Sequence, residues 1–599
     1  MERHNAIHQL KKVLDISPPI LKILLSTDTV ESKRHQIQIY LYEKLSMTRD
    51  KDGGIARLEW IVMRDSVNAV LNILSRRNEQ LAGHSLLQYI NTILFSKKTG
   101  DFISPSPGFI EELRHLLKGV MGKSGIYTVA TPAFEKYEGQ RAARLRSVDL
   151  SRMMRNAEKF MDRYDCGLED EIIERRQGNR TRIMDFFDAV PSDWAKWGWH
   201  VRNAIRDEDT LAGLIQLTED EYQGVRMARE QGVPFGITPY YLSLMDYEWG
   251  TGRDAAVRAQ VIPSPNYASA VRHMRDISGE SMDFMMERDT SPIYGITRRY
   301  PGIVILKPVL TCPQICVYCQ RNWEIKDVDA ADVAIGKDRL DAALQWIEKT
   351  PEIGEVLVTG GDPFILPDAQ IFYILERLSA MNHVQRIRLG TRTLVTLPQR
   401  ITDELVQGIS RFHVPGKREV LVVTHFEHAY EISPEAMEAV QKFRRQAMDV
   451  YNQLVYTFYT SRKFESAFLR NKLRLIGVTP YYTFNTKGKE ETRDYRVPIA
   501  RLLQEQKEES RLMPGTVRTD EIVFNVPRLG KNYLRAWQHH DLISILPDGR
   551  RVYEFHPWEK KLELADTYVH VDVSIYDYLR RLTEIGEKRK DYKTIWYYY

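Results

Sequence analysis

The chain has 599 residues, too many for a single core, so about two to four domains are expected. Its 85 basic and 81 acidic residues leave a net charge of +4, too small a field to point to nucleic acid or another polyanion as partner. Only four cysteines exclude a disulfide framework, the N-terminus has no signal-type apolar stretch, and no run of about 18 apolar residues occurs; a reducing cytoplasm, with no membrane contact, is the expected setting.

Residues 1–184 read as a helical N-terminal extension. Apolar residues recur at helical spacing in Leu58, Ile61 and Val62, in Val67, Val70, Leu71 and Leu74, and in Leu86, Leu87, Ile90, Ile93 and Leu94. This part holds no cluster of catalytic residue types, and its charged stretch Cys166 to Arg182 reads as a linker. Residues 185–295 form a second helical region leading towards a barrel. Its strip Tyr240, Tyr241 and Leu242 has the usual look of plain aromatic core.

Beyond Gly302 short β-branched runs alternate with amphipathic stretches. Candidate strands are Ile303–Leu306, Glu355–Thr359, Ile387–Gly390, Val420–Thr424, Leu454–Thr457 and Val478–Thr483. A helix is expected over Asp338–Lys349, and another after Ser433, which serves as N-cap with Pro434 at the first position and Met437, Val440 and Phe443 facing inward. Six βα units describe an α/β fold with a partial (β/α)6 barrel over residues 296–490, whose ligands gather at the C-terminal ends of the strands. Residues 491–599 complete the chain.

The loop after the first strand reads TCPQICVYCQRNW and holds Cys312, Cys316 and Cys319 at x3 and x2 spacing. Three thiolates are one short of a closed tetrahedral zinc site, and no histidine stands nearby; a [4Fe-4S] cluster held by three cysteines keeps one iron open. A zinc knuckle with a distant fourth ligand is the competing reading. Thr359-Gly360-Gly361-Asp362-Pro363 forms a tight turn after the next strand, whose glycines let backbone approach a ligand. Arg392, His425 and His428 stand at further strand ends, the histidines as pocket lining.

From about Ser192 to about Glu559 the chain resembles the lysine 2,3-aminomutase family of radical S-adenosylmethionine (SAM) enzymes that also use pyridoxal phosphate (PLP). The matching text includes KWGWHVRNAI, ITPYYLSLMD, RAQVIPS, SPIYGITRRYP, the cysteine loop with Tyr318 before its last thiol, VTGGDP, IRLGTRTLVTLPQRIT, THFEHAYEISPEA, YNQLV, GVTPYY, YRVPI and NVPRLGK. The resemblance implies a barrel of radical SAM type in which Cys312, Cys316 and Cys319 hold a [4Fe-4S] cluster. It implies that Gly360, Gly361 and Asp362 lie beside SAM, with Arg392 and His425 among the cofactor-binding residues. Lys531 becomes the lysine that forms the Schiff base with PLP, Arg299 and Tyr300 match positions near the PLP phosphate and Gln453 another, and Arg321 pairs with the substrate α-carboxylate. The activity implied is that of an isomerase: an amino-acid 2,3-aminomutase that moves an α-amino group to the β-carbon through a PLP aldimine and a 5′-deoxyadenosyl radical. An amino acid substrate, an external electron donor such as flavodoxin or ferredoxin, and a homo-oligomer go with it.

The chain departs from the pattern in several places. Lys487 and Asn525 stand where lysine-acting members hold the distal ammonium with two aspartates. A cation and an amide cannot balance an ammonium, and the same kind of exchange marks the glutamate 2,3-aminomutase branch, so glutamate or another non-lysine amino acid is the expected substrate. Ile303 replaces a phosphate-binding arginine, Phe484 a tyrosine, and Arg528-Leu529-Gly530 a longer glycine run. The family's C-terminal zinc cysteines are absent, since no cysteine follows Cys319. A radical SAM enzyme with altered or lost PLP use is a second reading, and a non-catalytic metal-bound scaffold a third.

Overall fold

A computed structural model of the protein describes residues 2–46, 58–95, 104–127, 132–250, 252–278, 282–328, 330, 332–486, 489–536, 538–558 and 565–599. The chain divides into two compact units. One comprises Glu158–Arg496 and Met513–Lys531, the other Met1–Ala157, Val497–Leu512 and Asn532–Tyr599.

The first unit is built on one sheet whose strands follow each other in chain order: β1 (Ile296–Tyr300), β2 (Ile303–Val309), β3 (Glu355–Gly360), β4 (Arg386–Gly390), β5 (Glu419–Thr424), β6 (Val450–Tyr456), β7 (Val478–Asn485), β8 (Glu521–Val526) and β9 (Gly530–Tyr533). From β2 to β8 each strand pairs in parallel with the next, and β1 pairs antiparallel with β2. Parallel neighbours need crossovers, and helices Lys337–Glu348, Asp368–Ser379, Asp403–Ser410, Pro434–Arg445 and Glu465–Leu475 supply them. Alternate strand residues Val304, Leu306, Val356, Val358, Ile387 and Leu389 are fully buried. Leu340, Leu344 and Ile347 of the first crossover helix are buried as well. The intervening set, including Ile303, Ile305, Glu355 and Leu357, is half-buried, as residues lining the inside of an open barrel are.

All six expected strands are present, and the sheet exceeds them. β1 and β8 join the ladder, and the strand expected from Leu454 begins at Val450. The helix after Ser433 runs Pro434–Arg445, with the Ser433 hydroxyl accepting from the Ala436 N–H at 3.0 Å. Val440 and Phe443 are buried, while Met437 is half-buried. The stretch read as a linker is instead helix Asp170–Phe186. Its inner face packs into the unit: Asn179 donates to the carbonyls of Ser243 and Met245 at 3.2 and 2.7 Å, and Arg176 stacks on Tyr430, while Asp170, Glu171 and Glu174 are exposed.

The second unit joins helices Glu2–Leu14, Pro18–Leu25, Val30–Ser46, Glu59–Ile73, Arg76–Ala82, Leu86–Phe95 and Pro107–Val120 to the antiparallel sheet β10 (His540–Ile545), β11 (Arg551–Phe555) and β12 (Tyr568–Val571). The helix Glu59–Ile73 turns Val62, Met63, Val67, Val70 and Ile73 inward, whereas Leu58 and Ile61 are exposed. A buried ion pair, Arg551 Nε to Glu112 at 3.0 Å, and a 2.9 Å bond between the Tyr599 and Ser66 hydroxyls tie the chain's two ends together. The N-terminal helices therefore share a core with the C-terminal residues. The boundary between units falls at 157/158, inside helix Gly139–Met161, and residues 491–599 are divided between the two. Among the described residues no helix is long and apolar enough to cross a membrane.

Candidate active site

The cysteine loop leaves β2 at Val309. Between its cysteines Ile315 and Val317 are buried, and their N–H groups donate to the carbonyls of Gly236 (3.1 Å) and Gln260 (2.8 Å). Cys312 and Cys319 pack against the buried cluster of Ile315, Ile325 and Val328. Burial, followed by the charge of Asp362 and of the other two thiols, pushes Cys312 up; burial also raises Cys316, although Arg392 opposes it. Such thiols ionise only with a metal to hold them. Among the described residues no three His, Cys, Asp or Glu side chains converge as ligands of a single metal ion. Three thiols on one loop fit a [4Fe-4S] cluster with one open iron.

Arg392, at the end of β4, is clamped around this loop. Nη1 donates to Cys316 Sγ at 2.9 Å and Nη2 to Glu431 at 2.6 Å and the Tyr241 hydroxyl at 3.3 Å; Nη2 also meets Gln260, and Nε donates to the His425 carbonyl at 3.2 Å. Gln260 in turn accepts from the Tyr318 hydroxyl at 3.0 Å. The strip at Tyr240 and Tyr241 is buried, as expected of core, yet both hydroxyls work: Tyr240 bonds Ser433 and Tyr241 donates to Glu431. His425 keeps a partly exposed ring 3.7 Å from Glu427, while His428 is buried against Glu465 at 3.1 Å and accepts from the Tyr430 N–H.

The glycine turn packs on the same loop. Gly360 has φ +119, and a Cβ there would lie 2.8 Å from the Val309 carbonyl oxygen; at Gly361 it would lie 2.0 Å from that of Thr311. Their N–H neighbours close the contact, Gly361 to Val309 at 2.8 Å and Asp362 to Thr311 at 2.9 Å. Asp362 accepts from the Thr391 hydroxyl and from the N–H groups of Phe364, Arg392 and Thr393, joining the turn to the end of β4. The glycines are thus required by backbone packed against the cysteine loop. Gly361→Ala is expected to cost about 3 kcal/mol or more, at or above the usual range for overpacking, and to lower the iron retained. Gly178→Ala, in an exposed helical position with nothing within 4 Å, is expected to gain up to about 1 kcal/mol. Denaturant midpoints and iron analysis of both variants check this.

Past the last thiol, the Arg321 N–H donates to Cys319 Sγ at 3.3 Å and its Nε to Glu287 at 3.1 Å. Among the described residues its Nη1 and Nη2 have no hydrogen-bond partner, so a two-pronged donor edge remains. Glu287 is fully buried and also meets Arg299 (3.4 Å), Lys307 (3.5 Å) and Gln320 (3.0 Å). Burial opposes its ionisation, but Arg321, Arg299 and Lys307 together hold the carboxyl far below the usual range. Lys307 is held by Glu324 at 2.9 Å, and both border a cavity of about 320 Å³ walled by Arg288, Tyr294 and Trp323.

Lys531 follows Gly530 at the start of β9. Its N–H donates to the Tyr300 hydroxyl at 2.8 Å, and its Nζ lies 5.1 and 4.9 Å from the ring centres of Tyr300 and Tyr482. Tyr482 pairs in register with Gln453. Nζ has no hydrogen-bond partner among the described residues. Burial, with Arg388 and Arg299 adding to it, lowers its pKa from 10.5 to about 7. A desolvated amine close to neutrality, between two aromatic faces, has the chemistry needed to capture an aldehyde and fits PLP. At Gly530 (φ +94) any Cβ would strike the Tyr300 hydroxyl, which is why the residue before the lysine is glycine.

In the first unit Cys316 meets Arg392, Glu287 bridges Arg321 and Arg299, and Lys531 meets Tyr300 and Tyr482. Asn525 is buried in β8, Phe484 is 5.7 Å ring to ring from Tyr482, and Lys487 lies outside the described residues. Sequence reasoning missed Glu287, Lys307, Arg388 and Lys489. The last pairs with Glu491 at 2.8 Å and donates to Asn322 and the Cys319 carbonyl. A lysine within the otherwise apolar strand IVILKPV, and Arg388 between the apolar residues of RIRLG, were the available signal.

No family model matches the chain. It is 42% identical to an uncharacterized KamA family protein of Methanocaldococcus jannaschii over 98% of both chains. It is 34% identical to glutamate 2,3-aminomutase of Clostridioides difficile, over 55% of this chain and 73% of that one. To L-lysine 2,3-aminomutase of Bacillus subtilis it is 32% identical, over 54% of this chain and 65% of that one. Among solved structures, SuiB of Streptococcus suis bound to S-adenosylmethionine matches with a TM-score of 0.29 and 12% identity, over 52% of this chain and 67% of that one. The match over nearly the whole length of the M. jannaschii protein takes in the N-terminal helices as well as the barrel: the chain belongs to the KamA family.

Proposed function

We propose that the protein is an isomerase, an amino-acid 2,3-aminomutase that uses a [4Fe-4S] cluster, SAM and PLP, with glutamate or another non-lysine amino acid as substrate. The observation that carries this reading is the desolvated amine of Lys531, without a hydrogen-bond partner among the described residues, in the same unit as the three-thiol loop. The names of the aminomutase relatives agree with it. When bound, the cluster and SAM supply a carbon radical that removes a hydrogen atom, and PLP supplies an aldehyde and a conjugated ring.

The chain's own residues bind and orient. Arg321, fixed through Nε by Glu287, offers its Nη edge to an α-carboxylate. Tyr300 and Tyr482 wall the space around Lys531 and keep its amine out of water. By the sequence, Lys487 and Asn525 favour a side chain ending in an acceptor over one ending in an ammonium.

Cluster-reconstituted protein, incubated without oxygen with SAM, PLP, reductant and a panel of amino acids, tests the reading by product mass spectrometry. A β-amino acid from glutamate and not from lysine is the expected result. Arg321→Lys is expected to lose about 10- to 100-fold in kcat/KM, the worth of one forked charge-assisted contact. Formation of 5′-deoxyadenosine with no β-amino acid from any member of the panel would reject the aminomutase reading and leave radical SAM chemistry on a different substrate.

A further inference from the structure

Lys489 and Glu491 pair at 2.8 Å with side chains only 3% and 0% exposed, against the end of the cysteine loop. We propose that this pair is a charge couple that sets the reduction potential of the cluster held by the three thiols, its ammonium end favouring the reduced state. The inference rests on the [4Fe-4S] reading of the loop.

The couple has a direction. Lys489 and Glu491 stand at the start of the 3-10 turn Glu490–Tyr495, whose Tyr495 packs on Tyr318 of the cysteine loop with ring centres 6.1 Å apart. Lys489 Nζ donates to the Cys319 carbonyl at 3.3 Å and to the side-chain oxygen of Asn322, so the positive end meets a thiol-bearing residue directly. Glu491 meets the loop further on, where its Oε1 accepts from Asn322 Nδ2 at 3.0 Å. Coulomb energy falls with distance, so a couple that presents its cation to Cys319 and its anion to Asn322 leaves a positive potential at the thiol. A cluster that takes up an electron gains negative charge beside that end. The couple therefore stabilises the reduced form, since nearby charge is one of the levers that set iron–sulfur potentials.

Stability does not account for the pair. Two charges taken out of water repay the loss only when their remaining polar atoms are satisfied. Here Glu491 Oε2 is buried with no hydrogen-bond partner among the described residues. An apolar pair would fill the same space at lower cost, so the charges are kept for what they do to their neighbour.

The test is a potentiometric titration of the reconstituted protein without SAM, using dithionite and viologen mediators and reading the electron paramagnetic resonance of the reduced cluster. Glu491→Gln removes the negative end and keeps the shape. It is expected to raise the reduced-to-oxidised ratio at a fixed potential about tenfold, which is about 59 mV for one electron. Lys489→Met should move the ratio as far in the opposite direction, and Lys489→Arg, which keeps the charge, should stay within about threefold of the unmodified protein. Iron per chain should be the same in all of them. Shifts of opposite sign at constant iron are what a charge couple produces and a packing role does not. Shifts of the same sign, no shift, or loss of iron from either folded variant would make the pair a structural clamp and overturn the proposal. If Lys489→Met does not fold, the sign of the Glu491→Gln shift decides alone. Should the unmodified protein take up no four-iron cluster, the cluster reading itself fails, and that is seen before any variant is measured.

Discussion

Lys531→Ala is expected to reduce β-amino acid formation to below about a thousandth of the unmodified rate, while iron content and SAM cleavage stay within about twofold. The separation follows from position. Lys531 touches Tyr300 and Tyr482, and its contacts include none of the residues that hold the cysteine loop. The amine also carries a pH signature. Its folded pKa, about 7, lies well below the ordinary 10.5 of an unfolded lysine. Between those values the unfolded chain holds a proton that the folded one has released, so this group makes stability rise with pH, by up to about 1.4 kcal/mol per unit. Below pH 7 the buried ammonium imposes its full cost; above 10.5 the cost is gone. Lys531→Met should therefore be more stable than the unmodified protein at pH 6–7, and the difference should shrink towards pH 10. Capture of PLP by the unmodified protein should rise through pH 7 and level off above it. A half-point near 10 would show an ordinary lysine.

Replacing any one of Cys312, Cys316 or Cys319 by serine is expected to abolish SAM cleavage and to remove most of the bound iron, measured by iron analysis and visible absorbance after anaerobic reconstitution. On the proposed reading three thiols hold the whole cluster and leave no spare ligand, and a serine hydroxyl ionises too weakly to stand in for a thiolate. Cys166→Ser is the matched control. That thiol is buried behind the Cys166 to Glu169 turn, its N–H donating to the Glu169 carboxylate, and none of the other cysteines is among the charges that act on it. Its iron content should equal that of the unmodified protein. Equal iron in the Cys316→Ser variant would return the loop to the zinc or scaffold readings. Cys316 is also the thiol that Arg392 meets, so a retained but weakened cluster should show first there.

Much of the site was legible because its signals are local. Three cysteines within eight residues, a glycine turn after a strand and a lysine after glycine need only spacing and turn chemistry to be seen, and the six β-branched runs needed only their period. Locality also misled. The charged stretch from Cys166 looked like a solvated linker, yet Arg176 and Asn179 find their acceptors in carbonyls some 64 to 254 residues away. The contact of Gly361 with Thr311 was equally out of reach, because the two residues lie 50 positions apart in the chain.

By itself the sequence determined the barrel's strand order, the three-thiol loop and the candidates for each ligand, since periodicity, spacing and residue chemistry survive in one dimension. Only the tertiary structure decided which charges meet. Glu287 bridges Arg321 and Arg299, Arg388 pairs with Glu355, and Glu112 in a helix pairs with Arg551 in a strand 439 residues later. The same holds for the state of Lys531. An amine becomes a near-neutral nucleophile through burial and neighbouring cations, and both are set by packing between segments that no local pattern connects.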